Sequence, residues 1–296
     1  MSFAADVKTE LCRAAIGKRC CAQAECYGIL LYCNTFSKGD IRIITENEAF
    51  AQRLPSLLKK AFRCSFDRLP DGTGKYIFSL TAAEKLAIIQ HSFGVDVQSL
   101  ALHINYGVLE ESCCRTAFLR GAYLAGGSVT DPQKGYHLEL ATSHLSVSRE
   151  MLALMREMDL EPKLAQRKGN AVIYFKQSDR IEDFLTSIGA PISAMEVMNA
   201  KLEKDLRGSV NRRVNCDAAN LDKAVEAAMT QVEAIRLLES TGQLALLPDK
   251  LKQTAWLRLE HPEDTLAQLA EQYAPPITKS ALNHRLRKLV ELGRGN

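Results

Sequence analysis

The chain has 296 residues, of which 46% are hydrophobic and 25% are charged, and its net charge at pH 7 is +3. This composition excludes wholesale disorder, because the apolar residues are numerous enough to form buried cores. The length is compatible with one large domain or with two to three smaller ones. The small net charge does not by itself identify a nucleic-acid-binding protein, so the position of the charges has to decide.

Neither a membrane span nor a signal peptide is predicted. No apolar run reaches the roughly 20 residues that cross a bilayer. Asp6, Lys8 and Glu10 occupy the stretch in which a signal peptide would have its apolar core. We therefore expect a cytoplasmic protein that has no membrane partner.

An internal repeat organises the first two thirds of the chain. A shift of 93 residues places "ECYGILLYCNTFS" (25–37) on the region of "AFLRGAYLAGGSV" (117–129) and superposes Gly28 on Gly121. Apolar or very small side chains cover nearly every face of both segments, which is typical of a helix that is buried on all sides. The repeat therefore predicts two central helices whose backbones approach each other closely.

The same predicted elements follow each central helix. In the first copy, Thr81 is the predicted N-cap of the last helix and Gly94 its C-terminal glycine, and in the second copy Gly189 takes that C-terminal place. Two such αββαββα halves form one α+β domain of residues 1–195. The elements predicted for the first copy are a strand at 40–46, a helix at 47–62, a hairpin at 64–80 and a helix at 81–94.

Residues 119–127 align in position with the LAGLIDADG motif, and both central helices resemble those of the homing endonucleases named after it. The resemblance implies a saddle of two sheets that holds DNA. In those nucleases an acidic residue next to the last glycine of the motif binds the catalytic metal. The matching positions here are Cys33 and Gly126, and neither residue can supply the oxygen ligand that Mg²⁺ requires. We predict that the fold is kept without nuclease activity, metal or cofactor.

Acidic residues farther along the chain leave an alternative open. Asp40 and Asp131 lie beyond the central helices, and we interpret both as turn residues. If Asp131 or Glu139 has instead replaced the lost ligands, the protein is a metal-dependent DNA endonuclease. Basic residues of the predicted strands either face a DNA groove or form a solvated sheet surface; they are Arg42, Arg68, Lys75, Lys163, Arg167 and Lys168.

Nine cysteines include two adjacent pairs, Cys20-Cys21 and Cys113-Cys114, which the 93-residue shift superposes. Thiolates bind zinc well, so the pairs suggest a metal site. Neither pair has C-x-x-C spacing, however, and no histidine lies close enough in sequence to complete a ligand set. We interpret the cysteines as buried structural thiols rather than as metal ligands or disulfides.

The last third of the chain changes in character. A helix is predicted at 192–206, and "RGSVNRRVNCDAAN" (207–220) interrupts its pattern with a glycine and three asparagines. We interpret 196–220 as a linker helix followed by a basic linker, and 221–296 as a separate helical domain. Three linker arginines are candidate phosphate contacts or solvated residues, namely Arg207, Arg212 and Arg213. Trp256, the only tryptophan, is predicted to anchor the core of the helical domain.

A helix-turn-helix is predicted near the C-terminus. A short helix after Pro262 and Asp264 carries Leu266, Leu269 and Ala270. "APP" (274–276) is the predicted turn, since proline cannot continue a helix. A longer helix then begins after the N-cap Thr278 and ends near Gly293. In this motif the second helix lies in the major groove of DNA.

The helical spacing assigns two faces to the second helix. Leu282, Leu286 and Leu289 form one apolar stripe, and polar residues occupy the other side. Residues 277–296 contain five basic residues and one acidic residue, so the net charge of this segment is +4. The predicted base contacts are Ser280, Asn283, His284 and Arg287, and the predicted phosphate contacts on this helix are Lys279, Arg285 and Lys288. A basic surface helix or a partner-binding helix is the alternative.

Taken together, "MSFAADVKTEL", the paired LAGLIDADG-like helices, "NRRVNCDAANLDKA" and "ITKSALNHRLRKL" resemble the WhiA family over essentially the whole chain. These are DNA-binding proteins of Gram-positive bacteria linked to sporulation, cell division and chromosome segregation. The resemblance implies a nucleoid-associated transcription regulator with double-stranded DNA as its partner. Another transcription factor or RNA polymerase is the candidate protein partner. Sporulation itself does not carry over, because the family extends to bacteria that do not sporulate. A pure protein-interaction adaptor is a further alternative.

Overall fold

A computed structural model of the chain describes residues 2–72, 74–95 and 101–295. The chain divides into two compact units, residues 1–204 and 205–296. Within the described ranges, no helix combines the length and the apolar character needed to cross a membrane.

The N-terminal unit contains the two predicted halves as an α+β fold. In the first half α2 leads into an antiparallel sheet of order β1-β2-β3, and in the second α5 leads into an antiparallel sheet of order β4-β5-β7-β6. The elements of the first half, after α1 (Phe3–Arg13), are α2 (Arg19–Tyr32), β1 (Thr35–Phe36), β2 (Ile41–Thr45), α3 (Glu48–Phe62), β3 (Tyr76–Leu80) and α4 (Ala83–Phe93). Those of the second half are α5 (Ser112–Gly126), β4 (Gly127–Val129), β5 (Leu138–Thr142), α6 (Leu145–Glu157), β6 (Lys163–Arg167), β7 (Asn170–Phe175) and α7 (Ser178–Ile188).

The second half has the complete αββαββα order, whereas the predicted hairpin of the first half is only partly formed. Its second arm is β3, and its first arm is reduced to an isolated bridge between Arg68 and Ser79. Pro70 follows closely after this bridge and has no N–H group with which to continue a strand ladder. Within the described residues, the pairing between the two arms of the hairpin is therefore limited to this one bridge.

Helices α2 and α5 form the predicted central pair, and glycines determine how closely they approach. A Cβ atom added to Gly28 would lie 2.1 Å from the carbonyl oxygen of Phe118, and one added to Gly121 would lie 2.0 Å from that of Glu25. The two contacts are equivalent under the 93-residue shift. The close approach of the two backbones, which the sequence predicted from small residues, is confirmed on both sides of the pair.

A buried ion pair lies beside this helix crossing. Glu25 of α2 accepts hydrogen bonds from Nε of Arg53 at 2.6 Å and from Nη2 at 2.9 Å, and both side chains are almost fully buried. Arg53 also donates to the carbonyl oxygens of Cys12 and Ala14, so every charged atom of the pair that faces the interior has a partner. Arg120 of α5 lies 3.5 Å from the same carboxylate.

The N-cap predicted for α4 is wrong. The cap residue is Ala82, and its side chain makes no capping bond. The carboxylate of Asp67 instead accepts hydrogen bonds from the backbone N–H groups of Thr81 and Ala82, and it pairs with Lys85 one turn into the helix. The predicted C-terminal glycines are confirmed, since Gly94 and Gly189 both have the left-handed conformation.

The break in helical structure predicted at 207–220 is also wrong, because α8 runs without interruption from Pro191 to Ser240. One glycine in a helix costs about 1 kcal/mol relative to alanine, and asparagine costs less. The remaining residues of the segment, which include Arg207, Arg212 and Arg213, are adequate helix formers. These scattered penalties are insufficient to end the helix.

The C-terminal unit is helical, with a core of its own. Ile235 and Leu238 of α8 pack with residues of the later helices, including Leu251, Leu269 and Leu286. Trp256 is 49% exposed, so the prediction that it anchors this core is wrong; Ala255 and Thr254 occupy the buried side of its helix instead. The helices of this unit after α8 are α9 (Asp249–Glu260), α10 (Leu266–Glu271) and α11 (Lys279–Gly293).

Candidate nucleic-acid interface

The predicted helix-turn-helix is formed by α10 and α11, and the sequence specifies where each helix begins. Thr265 caps α10 in a capping box with Gln268, so that each residue bonds the backbone of the other. Thr278 caps α11 by accepting a hydrogen bond from the N–H of Ala281, as the sequence predicted. The connection spans residues 272–278 and is longer than the predicted turn at 274–276, because α11 begins only after its capping threonine.

A buried arginine fixes the segment that leads into α10. Arg258 of α9 is 2% exposed, and its Nη1 donates to the carbonyl oxygen of Asp264 at 2.8 Å. Desolvation lowers the pKa of this guanidinium, partly offset by the charge of Asp264. Tyr273, just after α10, donates a 2.7 Å hydrogen bond to Thr254 of α9. The short helix is therefore held at both ends against α9.

The two faces predicted for α11 are confirmed. Leu282, Leu286 and Leu289 are at most 1% exposed and pack into the core of the C-terminal unit. Burial of three leucines fixes the rotation of the helix about its axis, since each contributes about 1.5–3 kcal/mol when removed from water. The opposite face of α11 must then be turned outward.

The predicted contact residues lie on that outward face and its flanks. Ser280, His284 and Lys288 follow one another at intervals of four residues, so they form a single row on the helix surface. Asn283 and Arg287 form a neighbouring row with the same spacing. The exposed members of the predicted set are Lys279, Ser280, His284, Arg287 and Lys288, and Asn283 and Arg285 are half-buried.

Arg285 differs from its neighbours because it already has a partner. Its guanidinium lies over the ring of Tyr273, 5.4 Å from the ring centroid, an arrangement that favours a cation over an aromatic face. The side chain therefore lies along the rim of the motif, next to the turn. This position is compatible with the phosphate contact that the sequence predicts for it and less so with a base contact.

The three basic residues of the predicted linker occupy a helix instead of a loop. Arg207, Arg212 and Arg213 all lie on α8 in its exposed section. A helical backbone restricts where their guanidinium groups can reach, in contrast to a flexible linker. Their assignment as phosphate contacts stays a prediction.

The strands of the N-terminal unit carry exposed basic residues, but acidic residues compensate some of them. Arg167 lies 3.4 Å from Glu139, which also accepts a hydrogen bond from His137 at 3.0 Å if the imidazole is protonated at Nε2. Arg68 lies 3.2 Å from Asp71. The predicted positive surface of the sheets is thus interrupted by ion pairs, and Glu139 is occupied by these basic neighbours.

The two positions that match the metal ligands of the endonucleases cannot hold a hard cation. The thiol of Cys33 lies 3.2 Å from the carbonyl oxygens of Leu30 and Thr35, and burial raises its pKa to about 12. At Gly126 a Cβ atom would lie 2.7 Å from the carbonyl oxygen of Ala141. One position therefore holds a protonated thiol, and the packing at the other leaves no space for a carboxylate side chain.

The interpretation of Asp40 and Asp131 as turn residues is confirmed. Asp131 accepts a hydrogen bond from the N–H of Gln133 through its side chain, which is typical of a turn that an aspartate stabilises. Asp40 closes the turn between β1 and β2, where its carbonyl oxygen accepts from the N–H of Ser37.

The interpretation of the paired cysteines as buried thiols is wrong for three of the four. Only Cys114 is buried, Cys21 is half-buried, and Cys20 and Cys113 are exposed. The Sγ atoms of Cys20, Cys21 and Cys114 all lie within 4.8 Å of one another. Sequence spacing could not reveal this cluster, because its members come from two helices that are 93 residues apart along the chain.

Comparisons with known proteins show that two parts of this chain match described protein families. Residues 115–207 match the family described as the WhiA LAGLIDADG-like domain, and residues 210–293 match the WhiA C-terminal HTH domain. The chain is 38% identical over 303 residues to the "Probable cell division protein WhiA" of Ruminiclostridium cellulolyticum, covering 99% of this chain and 97% of that protein. It is 36% identical to the protein of the same name from Bacillus cytotoxicus, with 99% and 96% covered.

Solved structures show the same fold at lower identity. The crystal structure of full-length DUF199/WhiA from "Thermatoga maritima" matches 99% of this chain and 98% of its own, with a TM-score of 0.62 and 22% identity. The crystal structure of the N-terminal LAGLIDADG domain of DUF199/WhiA matches 64% of this chain and 92% of its own, with a TM-score of 0.50 and 20% identity. The full-length structure thus shares its fold with essentially the whole of this chain, and the second structure shares the LAGLIDADG-like fold of the N-terminal part.

Proposed function

This chain belongs to the WhiA family, and on that premise we propose that it is a sequence-specific DNA-binding transcription regulator that acts without cleaving DNA. The observation that carries the proposal is α11, a capped helix whose buried leucines turn a row of polar and basic side chains outward. A helix of this kind, preceded by a short helix and a turn, fits the major groove of B-DNA.

The side chains of this face have the chemistry that base recognition needs. Arg287 presents two parallel N–H donors that suit the O6 and N7 acceptors of guanine, and Asn283 can bond both N6 and N7 of adenine. Ser280 and His284 offer single hydrogen bonds in the adjacent row. Lys279, Arg285 and Lys288 are proposed to contact phosphates and so to fix the register of the helix in the groove.

The role in cell division is carried over from the names of the relatives, and the site of action is proposed to be the nucleoid. A transcription regulator acts through RNA polymerase or through a second transcription factor, and one of these is the proposed protein partner. Sporulation enters the proposal only if the host sporulates.

Substitution of Arg287 by alanine tests the base contact directly. Binding sites selected in vitro from random duplexes with the wild-type protein would be titrated with both proteins at fixed salt. We expect Arg287→Ala to lose about 1–3 kcal/mol at the selected site and to lose preference for one base pair. Arg236→Ala is the matched control, because Arg236 is an exposed arginine on α8 of the same unit, and it should retain the sequence preference. An unchanged footprint and motif for Arg287→Ala would rule out α11 as the reading helix.

The absence of cleavage is proposed on the geometry at Cys33 and Gly126, where neither position offers a carboxylate oxygen. Incubation of the protein with supercoiled plasmid and Mg²⁺ or Mn²⁺ tests it. We expect the plasmid to stay intact. Cleavage that Asp131→Ala abolishes would instead support the endonuclease hypothesis and refute this part of the proposal.

A further inference from the structure

The two adjacent cysteine pairs meet at the starts of the central helices. Cys20 and Cys21 occupy the second and third positions of α2, and Cys113 and Cys114 occupy the same positions of α5. The contacts between the pairs obey the same symmetry, because the thiol of Cys20 interacts with that of Cys114 and the thiol of Cys21 with that of Cys113. The duplication thus brings four sulfur atoms to one end of the helix pair.

We propose that Cys20, Cys21, Cys113 and Cys114 form a four-thiolate site for a single Zn²⁺ ion or a similar soft divalent metal. A tetrahedral Zn(Cys)₄ site has Zn–S bonds of about 2.3 Å, which sets its sulfur atoms about 3.8 Å apart. The Sγ atoms of Cys20, Cys21 and Cys114 lie within 4.8 Å of one another, so small side-chain rotations bring them into this geometry. Cys113 lies outside this cluster of three sulfurs but interacts with Cys21, and a rotation of its exposed side chain would supply the fourth ligand. Separations this short fit one ion, and a disulfide would use only two of the sulfurs.

The surroundings favour the thiolate form of Cys20 at this end of the helices. The N-caps of α2 and α5, Lys18 and Glu111, make no side-chain hydrogen bond to the first turn, so the positive ends of both helix dipoles act on the sulfurs. Despite the opposing effect of desolvation, hydrogen bonds with Cys114 and Cys21 and the charge of Lys18 lower the pKa of Cys20.

Two of the four thiols are disfavoured as anions by their surroundings. Desolvation, together with the neighbouring sulfurs, raises the pKa of Cys21 to about 11 and also raises that of Cys114. Zn²⁺ binds thiolates, so its binding displaces the protons of these two sulfurs. Metal binding is therefore expected to weaken as the pH falls, because protons compete for the same four sulfurs.

Such an ion would link the two halves of the N-terminal unit at the N-terminal ends of their central helices. Each half contributes one pair of ligands, so a half that unfolds alone would lose half of the coordination sphere. The expected consequence is that Zn²⁺ raises the melting temperature of the N-terminal unit, by an amount that grows with the logarithm of the free Zn²⁺ concentration divided by its Kd.

The test uses the reduced full-length protein with Zn²⁺ or Co²⁺ alone as the probe. We expect one Zn²⁺ per chain in competition with a coloured chelator, and Co²⁺ spectra with the thiolate-to-metal charge-transfer band and the intense visible bands of a tetrahedral site. The variant C20S/C113S removes the two exposed ligands, so its fold should be kept, which circular dichroism would check. Its affinity for Zn²⁺ should fall by about 100-fold or more, since loss of outer-shell partners alone costs about 10–100-fold. The matched control is C216S, which removes an exposed cysteine outside the cluster and should bind Zn²⁺ like the wild type.

Three results would overturn the proposal. One is equal Zn²⁺ affinity of C20S/C113S and the wild-type protein, and another is a Co²⁺ spectrum without thiolate charge transfer. The third is reduced wild-type protein that binds no Zn²⁺ and instead forms Cys20–Cys114 or Cys21–Cys113 disulfides on mild oxidation, which would identify a redox pair in place of a metal site.

Discussion

Replacement of Gly121 by alanine tests whether the crossing of α2 and α5 determines the stability of the N-terminal unit. The added Cβ would lie 2.0 Å from the carbonyl oxygen of Glu25, whereas an ordinary contact is at least 3.4 Å. The helices would have to separate locally by about 1.4 Å, against a neighbour that is main chain and cannot rotate away. Overpacking of a core typically costs about 1–3 kcal/mol. We expect Gly121→Ala to reach or exceed the upper end of that range, about 3 kcal/mol.

Urea unfolding of the full chain provides the measurement, with two signals that separate the units. All tyrosines except Tyr273 lie in residues 1–204, so their near-ultraviolet circular dichroism reports on the N-terminal unit, and fluorescence of Trp256 reports on the other. The matched control is Gly135→Ala, because a Cβ at Gly135 meets nothing within 4 Å, and it should change stability by no more than about 0.5 kcal/mol. Equal midpoints for Gly121→Ala and Gly135→Ala in the tyrosine signal would refute the reasoning.

Two further predictions concern charged groups of the same unit. Glu25→Gln should lower the free energy of unfolding by about 3 kcal/mol, because it leaves the buried guanidinium of Arg53 without its countercharge; a loss below about 1 kcal/mol in urea unfolding would contradict this. Hydrogen bonding to Lys85 and to the backbone N–H groups of Ala82 and Thr81, just before α4, lowers the pKa of Asp67 from 3.8 to about 2. Its stabilising effect relative to Asp67→Asn should therefore be complete above about pH 4 and decline toward pH 2, where the carboxylate protonates. Urea midpoints measured across this pH range check it, and a difference that is independent of pH would show that the charge is unimportant.

The elements that the sequence predicted well are those whose signal is local or repeated. Glycines 93 residues apart identified the central helix pair, because only a helix that touches another backbone needs such small residues. Thr278 and the leucine spacing of α11 likewise determine where that helix starts and which side is buried. For the candidate DNA-binding face, the sequence therefore sufficed to place the side chains on one helix and on its outward side.

The features that could not be predicted from the sequence depend on contacts between distant segments. The carboxylate that accepts hydrogen bonds at the start of α4 belongs to Asp67, which precedes the helix by a whole strand, so no capping pattern next to Thr81 could reveal it. The cysteine cluster escaped for the same reason, since its spacing exists only across two helices. Trp256 is exposed because the smaller residues Ala255 and Thr254 occupy the buried side of α9.

The unbroken course of α8 through 207–220 shows a different limit. Gly208 and the asparagines destabilise a helix but do not prevent it from forming. A proline ends a helix much more reliably, because it lacks the N–H donor and clashes with the preceding turn. A local pattern of weak helix formers is therefore poor grounds for predicting a break in a helix.

The atoms that face Gly28 and Gly121 have a consequence for how this fold can change over generations. Each glycine opposes a main-chain carbonyl oxygen of the other half, and no mutation can delete a carbonyl group from the backbone. A larger residue at either position consequently has no compensating substitution in the residue it meets. After an ancestral duplication most pairs of equivalent positions are free to diverge, as Glu25 and Phe118 have done, but these two glycines are bound to stay alike. The two equivalent glycines are thus kept by contacts with main-chain atoms, which no side-chain substitution can remove.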